Sequence, residues 1–158
     1  SFKMYNDNNK LVIFHKQIDL IQDCIKRMAG NSFLVKGWSA GLLTIAMVLL
    51  KEIHFYGVLL IILPIICLWY LDAFFLYTEK KYRKRYEKLL ESIEANNFSD
   101  KYLNFYSLNP NNFKLEEDDT KDDIDHVVDM MLSPTLRVFY GSLILFALIV
   151  NFTQWKYF

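Results

Sequence analysis

Three long stretches of this 158-residue chain carry almost no charge, and they constrain its fold more than any other feature. Residues 33–50 contain one charged side chain, Lys36, residues 55–76 contain only Asp72, and residues 138–150 contain none. A helix needs about 17 to 25 mostly apolar residues to cross the hydrocarbon core of a bilayer. A chain this short has too few polar faces elsewhere to cover three helices that are apolar all round. The sequence therefore predicts an integral membrane protein rather than a soluble bundle.

The predicted fold is all-α, with four segments in chain order. Residues 1–32 form an amphipathic cytoplasmic helix, and residues 33–76 form a transmembrane hairpin with a connection too short for any other arrangement. Residues 77–134 comprise a cytoplasmic helix and an acidic loop, and residues 135–158 form a third transmembrane helix with an interfacial aromatic end. Because apolar residues keep a spacing of three and four beyond residue 76, the second span should continue as one helix to about Ala95.

The amino-terminal helix carries a narrow apolar stripe, which we call the seam. Its members recur at alternating spacings of three and four, the pattern of a heptad repeat. They are Leu11, Phe14, Ile18, Ile21, Ile25 and Met28. Gly30 predicts the end of this helix, and Ser32 predicts an N-cap for the next one, so the chain should bend between them. We expect the seam to join subunits, or to pack on the helical hairpin of its own chain.

Basic residues predict the orientation. A basic run follows span two, whereas the hairpin connection holds only Lys51. The positive-inside rule then places the amino terminus and residues 77–134 in the cytoplasm. The run should meet anionic lipid headgroups, or alternatively the acidic segment 116–125 of the same or a neighbouring chain. Its members are Lys80, Lys81, Arg83, Lys84, Arg85 and Lys88.

Asp72 is the most costly residue of the three apolar stretches, because an ionised carboxylate costs about 2.5 to 3.5 kcal/mol at the centre of a membrane. Counting outward from the hairpin brings Lys36 and Asp72 to a similar depth near the cytoplasmic boundary. Three hypotheses follow: an ion pair between them, a Lys36 that extends to the headgroups while Asp72 contacts water or the Trp38 indole, and a pore-lining carboxylate.

Gly37 and Gly41 begin span one at a GxxxG spacing. Small residues at this spacing allow two membrane helices to approach closely. Packing within the hairpin and contact with another subunit are both open interpretations.

The sequence favours no catalytic, metal or cofactor site. The histidines fall on a cytoplasmic helix, an external connection and a polar loop, and no nucleophile has a base beside it. The acidic residues 118–123 lack the glycine and terminal glutamate of a calcium-binding loop. Cys24 and Cys67 lie in different environments, so no disulfide is expected. Balanced charge gives no sign of nucleic-acid binding. The three histidines are His15, His54 and His126.

Residues 27–39 (RMAGNSFLVKGWS), residues 68–76 (LWYLDAFFL) and the pairs Glu79-Lys80 and Tyr82-Arg83 resemble a widespread family of small bacterial membrane proteins. In architecture the chain is similar to the membrane effectors of antiphage defence. This resemblance implies an oligomeric inner-membrane effector that forms a pore or disrupts the membrane, with lipid, copies of itself and a cytoplasmic defence-system protein as partners. The alternative is a membrane anchor or sensor subunit that recruits a soluble enzyme.

Overall fold

The computed structural model describes residues 2–49, 55–95 and 122–155, and these residues form helices without strands. The helices are α1 (Phe2–Leu49), α2 (Phe55–Glu94), α3 (Asp123–Met131) and α4 (Pro134–Trp155). The prediction of an all-α fold is therefore confirmed. Helices α1, α2 and α4 each contain a stretch long and apolar enough to cross a membrane, which fits a membrane location.

The chain divides into two compact units. The seam unit comprises Ser1–Ala29 and Thr78–Thr120, and the span unit comprises Gly30–Tyr77 and Lys121–Phe158. Residues 96–121 lie outside the described part of the chain, so the predictions for the acidic segment up to residue 121 are not addressed.

Helix α1 continues through Gly30 and Ser32 to Leu49, so the predicted stop and bend are wrong. A glycine inside a helix costs only about 1 kcal/mol relative to alanine. The contacts that α1 makes before and after this glycine outweigh that cost, because Ile21 and Val35 are both buried. The Ser32 hydroxyl bonds to Asp72 and does not cap a new helix.

The core of the seam unit is formed between α1 and α2. Four α1 residues, Phe14, Ile18, Ile21 and Cys24, are buried in one cluster with Tyr82 and Leu89 of α2. Ile25 and Met28 pack against this cluster, whereas Leu11 is only partly buried. The side chain of Gln22 on α1 also donates a hydrogen bond of 3.2 Å to the Tyr86 hydroxyl of α2. Most of the seam is thus covered by the same chain.

The remaining helix boundaries follow local signals in the sequence. Helix α2 continues across Pro64 to Glu94, which confirms the predicted long helix. Pro134 is the first residue of α4, where its missing N–H costs nothing. The last part of the predicted acidic loop is helical instead, because Asp123–Met131 form α3.

Candidate functional site: a buried charge cluster

The side chain of Asp72, on α2 in the span unit, is 0 % exposed. Its position follows from the helical repeat: Ala73 beside it and Ile65 two turns earlier are buried too, whereas Leu71 and Phe74 are exposed. The inward face of α2 therefore carries the carboxylate away from the apolar surroundings that the outward face would meet in a membrane.

Lys36 on α1 is the charged partner of Asp72. Its Nζ lies 2.6 Å from Asp72 Oδ2, and its side chain is 22 % exposed. The same Nζ donates a hydrogen bond of 2.8 Å to the Ser32 hydroxyl, one helical turn earlier on α1. The Ser32 hydroxyl in turn donates to Asp72 Oδ1, so both carboxylate oxygens are bound by α1.

Tyr140 brings the third apolar helix to the same carboxylate. Its hydroxyl donates a hydrogen bond of 2.9 Å to Asp72 Oδ2, and its side chain is fully buried. The Tyr140 ring stacks on Trp69 of α2, with ring centroids 5.6 Å apart and an interplanar angle of 10°. We call Ser32, Lys36, Asp72 and Tyr140 the charge cluster, because together they join α1, α2 and α4.

The arrangement satisfies the carboxylate almost completely. A buried charge is tolerable when a partner of opposite sign and further hydrogen bonds replace the water that it has lost. Asp72 has one cationic and two hydroxyl donors on its two oxygens. The chemistry of the cluster is therefore electrostatic: it holds three helices together through a group that is costly to expose to lipid.

Helix α3 attaches to α2 next to the cluster. The Trp69 Nε1 donates a hydrogen bond of 3.0 Å to the Met131 carbonyl oxygen at the end of α3. The Tyr77 hydroxyl donates one of 3.0 Å to Asp123 Oδ1, and the Tyr77 ring stacks on His126 at 5.6 Å. His126, placed in a polar loop by the sequence, thus lies on a helix against an aromatic ring.

The structure decides between the three hypotheses for Asp72. The contact with Lys36 is present, and the Trp38 indole is exposed instead of bonding to Asp72. Since the Asp72 side chain has no exposed surface, it lines no open path in this conformation.

Two other sets of predicted site residues lie elsewhere. Gly37 and Gly41 are exposed, and a Cβ added to either would meet no atom within 4 Å, so packing of this pair inside the hairpin is wrong. Within the basic run, Lys81 is buried and Arg83 pairs with Glu79 at 2.7 Å, so the run is not uniformly free to meet headgroups. Lys80 is exposed, whereas Lys84, Arg85 and Lys88 are partly buried.

Sequence reasoning missed Ser32 and Tyr140. Ser32 precedes Lys36 by one turn, and residues four apart share a helix face, so the spacing was a usable signal. Tyr140 lies near the start of the third span, at the side of the membrane where Asp72 was placed. Its hydroxyl needs a partner once buried, but no spacing rule connects residues that are 68 positions apart.

No protein-family model, no curated protein and no solved structure matches this chain. The geometry of the cluster and the distribution of apolar surface are therefore the grounds on which a function is argued.

Proposed function

We propose that this protein is an oligomeric inner-membrane effector of bacterial antiphage defence, which forms a pore or otherwise disrupts the membrane. The charge cluster carries the proposal. Ionisable residues inside membrane helices are costly, and proteins use them mainly in ion paths, proton relays and switches. Close van der Waals packing is enough to hold apolar helices together in a bilayer without a lysine and an aspartate between them.

In this proposal the described conformation is the closed state. Asp72 is shielded by Lys36, Ser32 and Tyr140, and opening requires α1, α2 and α4 to separate at these contacts. Separation would bring two charged groups to a water-filled path between helices. The exposed Gly37 and Gly41 would then offer a close approach for a second subunit.

We infer the orientation from the basic run after α2, which by the positive-inside rule favours a cytoplasmic amino terminus and cytoplasmic residues 77–134. There a defence-system protein would deliver the trigger. The proposed activity is a change in membrane permeability and needs neither a catalytic residue nor a cofactor.

The second candidate is a membrane anchor or sensor that recruits a soluble enzyme. One observation favours it: most of the seam is buried against α2 of the same chain and is therefore not available to a second subunit. The seam unit would then be a folded cytoplasmic platform, and the charge cluster would serve only to hold the span unit together.

Ion flux separates the two functions. The wild-type chain and Asp72→Asn are reconstituted into liposomes with a potassium gradient, and depolarisation is followed with a potential-sensitive dye. Asparagine keeps the shape of the side chain and removes its charge, so a closed state held by the ion pair should leak more in this variant. Asp125→Asn, at an exposed carboxylate of α3, is the matched control and should behave as wild type.

Tyr140→Phe removes one donor and leaves the ion pair, so its leak should lie between wild type and Asp72→Asn. Circular dichroism and gel filtration establish that each variant is folded. If every folded variant holds the potassium gradient as well as empty liposomes do, the pore proposal is wrong and the anchor function is supported.

A further inference from the structure

Helix α3 has three distinct faces, which the sequence alone did not reveal. One face is turned to the other helices of the span unit, since Val127 is 2 % exposed and His126 stacks on Tyr77 of α2. A second face holds Ile124 and Val128, and Leu132, the C-cap residue directly after α3, continues the same spacing of four; the three residues are 64 %, 43 % and 57 % exposed.

The third face of α3 is acidic. Asp125 and Asp129 are exposed and are each one position further along the chain than Ile124 and Val128. Because consecutive helical residues are about 100° apart, the acidic face lies beside the apolar face and away from the buried one. A helix whose exposed surface is divided into an apolar and a polar face is suited to a membrane–water interface, although the polar face of such helices is usually basic and that of α3 is acidic.

The connection between α3 and α4 fixes the depth of this surface. Only Leu132 and Ser133 separate Met131 from Pro134, where a helix apolar enough to cross a membrane begins. The carboxyl end of α3 therefore lies where that span enters the membrane. Val138, one turn into α4, is exposed, so apolar surface continues from α3 onto the span.

The contacts of α3 with α2 show that α3 runs beside α2 and that its carboxyl end is the deeper one, because Trp69 and Tyr77 are eight residues, about 12 Å, apart along α2. Trp69 and Tyr77 hold the two ends of α3 through the Met131 carbonyl and the Asp123 carboxylate. Tryptophan and tyrosine are enriched at the headgroup level, where an apolar ring and a polar atom are both satisfied.

We propose that α3 is an interfacial helix whose Ile124, Val128 and Leu132 insert into the boundary between headgroups and acyl chains, while Asp125 and Asp129 face water. The partner of this surface is the bilayer itself. The inference rests on the membrane location of the span unit and not on a pore or a role in defence.

Site-directed spin labelling of the full chain in phosphatidylcholine vesicles tests the proposal. Single cysteines replace Ile124, Val128, Leu132 or Asp125 in a background with Cys24→Ser and Cys67→Ala. Leu145→Cys, at an exposed position of α4, is the lipid reference. Collision rates with oxygen, which concentrates in lipid, and with a water-soluble nickel chelate are measured at each label.

The ratio of oxygen to nickel collisions should be several-fold higher at 124, 128 and 132 than at 125, and should approach the ratio at 145. Equal ratios at 124, 128, 132 and 125 would place the apolar face in water and overturn the proposal. Immobilised labels shielded from both reagents would mean that protein covers this face, which also overturns it. Leu145→Cys reports independently whether the span lies in lipid, and ion flux is not part of the readout.

Discussion

Asp72 accepts from three donors that come from two other helices, so each donor can be removed separately and its effect measured. Removing the cation leaves a buried charge without a counterion, whereas removing one hydroxyl leaves the ion pair in place. The cluster therefore predicts a graded series of effects on stability.

Asp72→Ala and Lys36→Ala should each destabilise the span unit, because breaking a buried ion pair from one side costs about 3 to 5 kcal/mol. Asp72→Ala leaves only the partly exposed Lys36, which can reach water, so its loss should fall at or below the lower end of this range, whereas Lys36→Ala leaves the fully buried carboxylate without a counterion. The exchanged pair, Asp72→Lys with Lys36→Asp, should recover part of the loss. Unfolding in detergent followed by circular dichroism measures all three.

Matched controls for this series are Asp125→Ala and Lys26→Ala, which remove the same groups at exposed positions. These should change the free energy of unfolding by no more than about 0.5 kcal/mol. Additive losses in the single variants, with no recovery in the exchanged pair, would contradict an energetic coupling of Lys36 with Asp72.

Tyr140→Phe should lower the free energy of unfolding by about 1.5 to 3 kcal/mol, the usual range for a hydrogen bond to a charged group. The ring and its stacking on Trp69 remain, so the loss reports the hydroxyl alone. Tyr70→Phe, at an exposed position of α2, is the control. Equal melting temperatures for wild type and Tyr140→Phe would mean that the hydroxyl contributes nothing.

At the scale of the elements, the seam shows how one heptad pattern permits two partners. Spacing shows that a helix has an apolar stripe but does not identify what covers it. In this chain Tyr82 and Leu89 of α2 cover the stripe, and both residues lie within the predicted extension of span two. The stripe could be predicted from the sequence, and its partner within the chain could be proposed only as an alternative.

Ile21→Ala should destabilise the seam unit by about 2 to 5 kcal/mol, as expected for a large buried aliphatic side chain. Leu20→Ala, the neighbouring exposed position, should cost far less. Hydrogen exchange should increase in residues 14–24 and 82–89 of Ile21→Ala. If light scattering instead gives a lower mass with unchanged exchange, the seam joins subunits and the packing within the chain is secondary.

Helix boundaries were predictable where a residue has a local effect and not where packing decides. Pro134 begins α4 because proline has no N–H to lose at a first helical position. Gly30 does not end α1, because the contacts on both sides exceed its local cost. Helix α3 was missed although its apolar residues recur every four positions, because four of its nine residues are ionisable and it directly follows an acidic segment.

At the scale of the whole molecule, the sequence predicts which side of the membrane each connection faces. Basic residues cluster after α2, and the connection between α1 and α2 carries a single lysine. The charges that set this orientation are local, which explains why it can be proposed without knowing any tertiary contact.

A thiol reagent that cannot cross membranes should label His54→Cys in intact cells but should label Asp125→Cys only after permeabilisation. Both variants are made without Cys24 and Cys67. His54 lies in the hairpin connection and Asp125 on α3, on opposite sides in the predicted topology. Labelling of both in intact cells, or of Asp125→Cys alone, would contradict the orientation.

The charge cluster also has a consequence for biosynthesis. The chain leaves the ribosome from its amino terminus, so Lys36 reaches the insertion machinery before Asp72 does, and the Tyr140 hydroxyl follows 68 positions after Asp72. Each helix that partitions alone would carry an uncompensated charge or hydroxyl into lipid. We therefore expect the first two spans to leave the insertion machinery together, with the charges of Lys36 and Asp72 already paired. The last span can donate its hydrogen bond to the carboxylate only after synthesis of the chain is nearly finished.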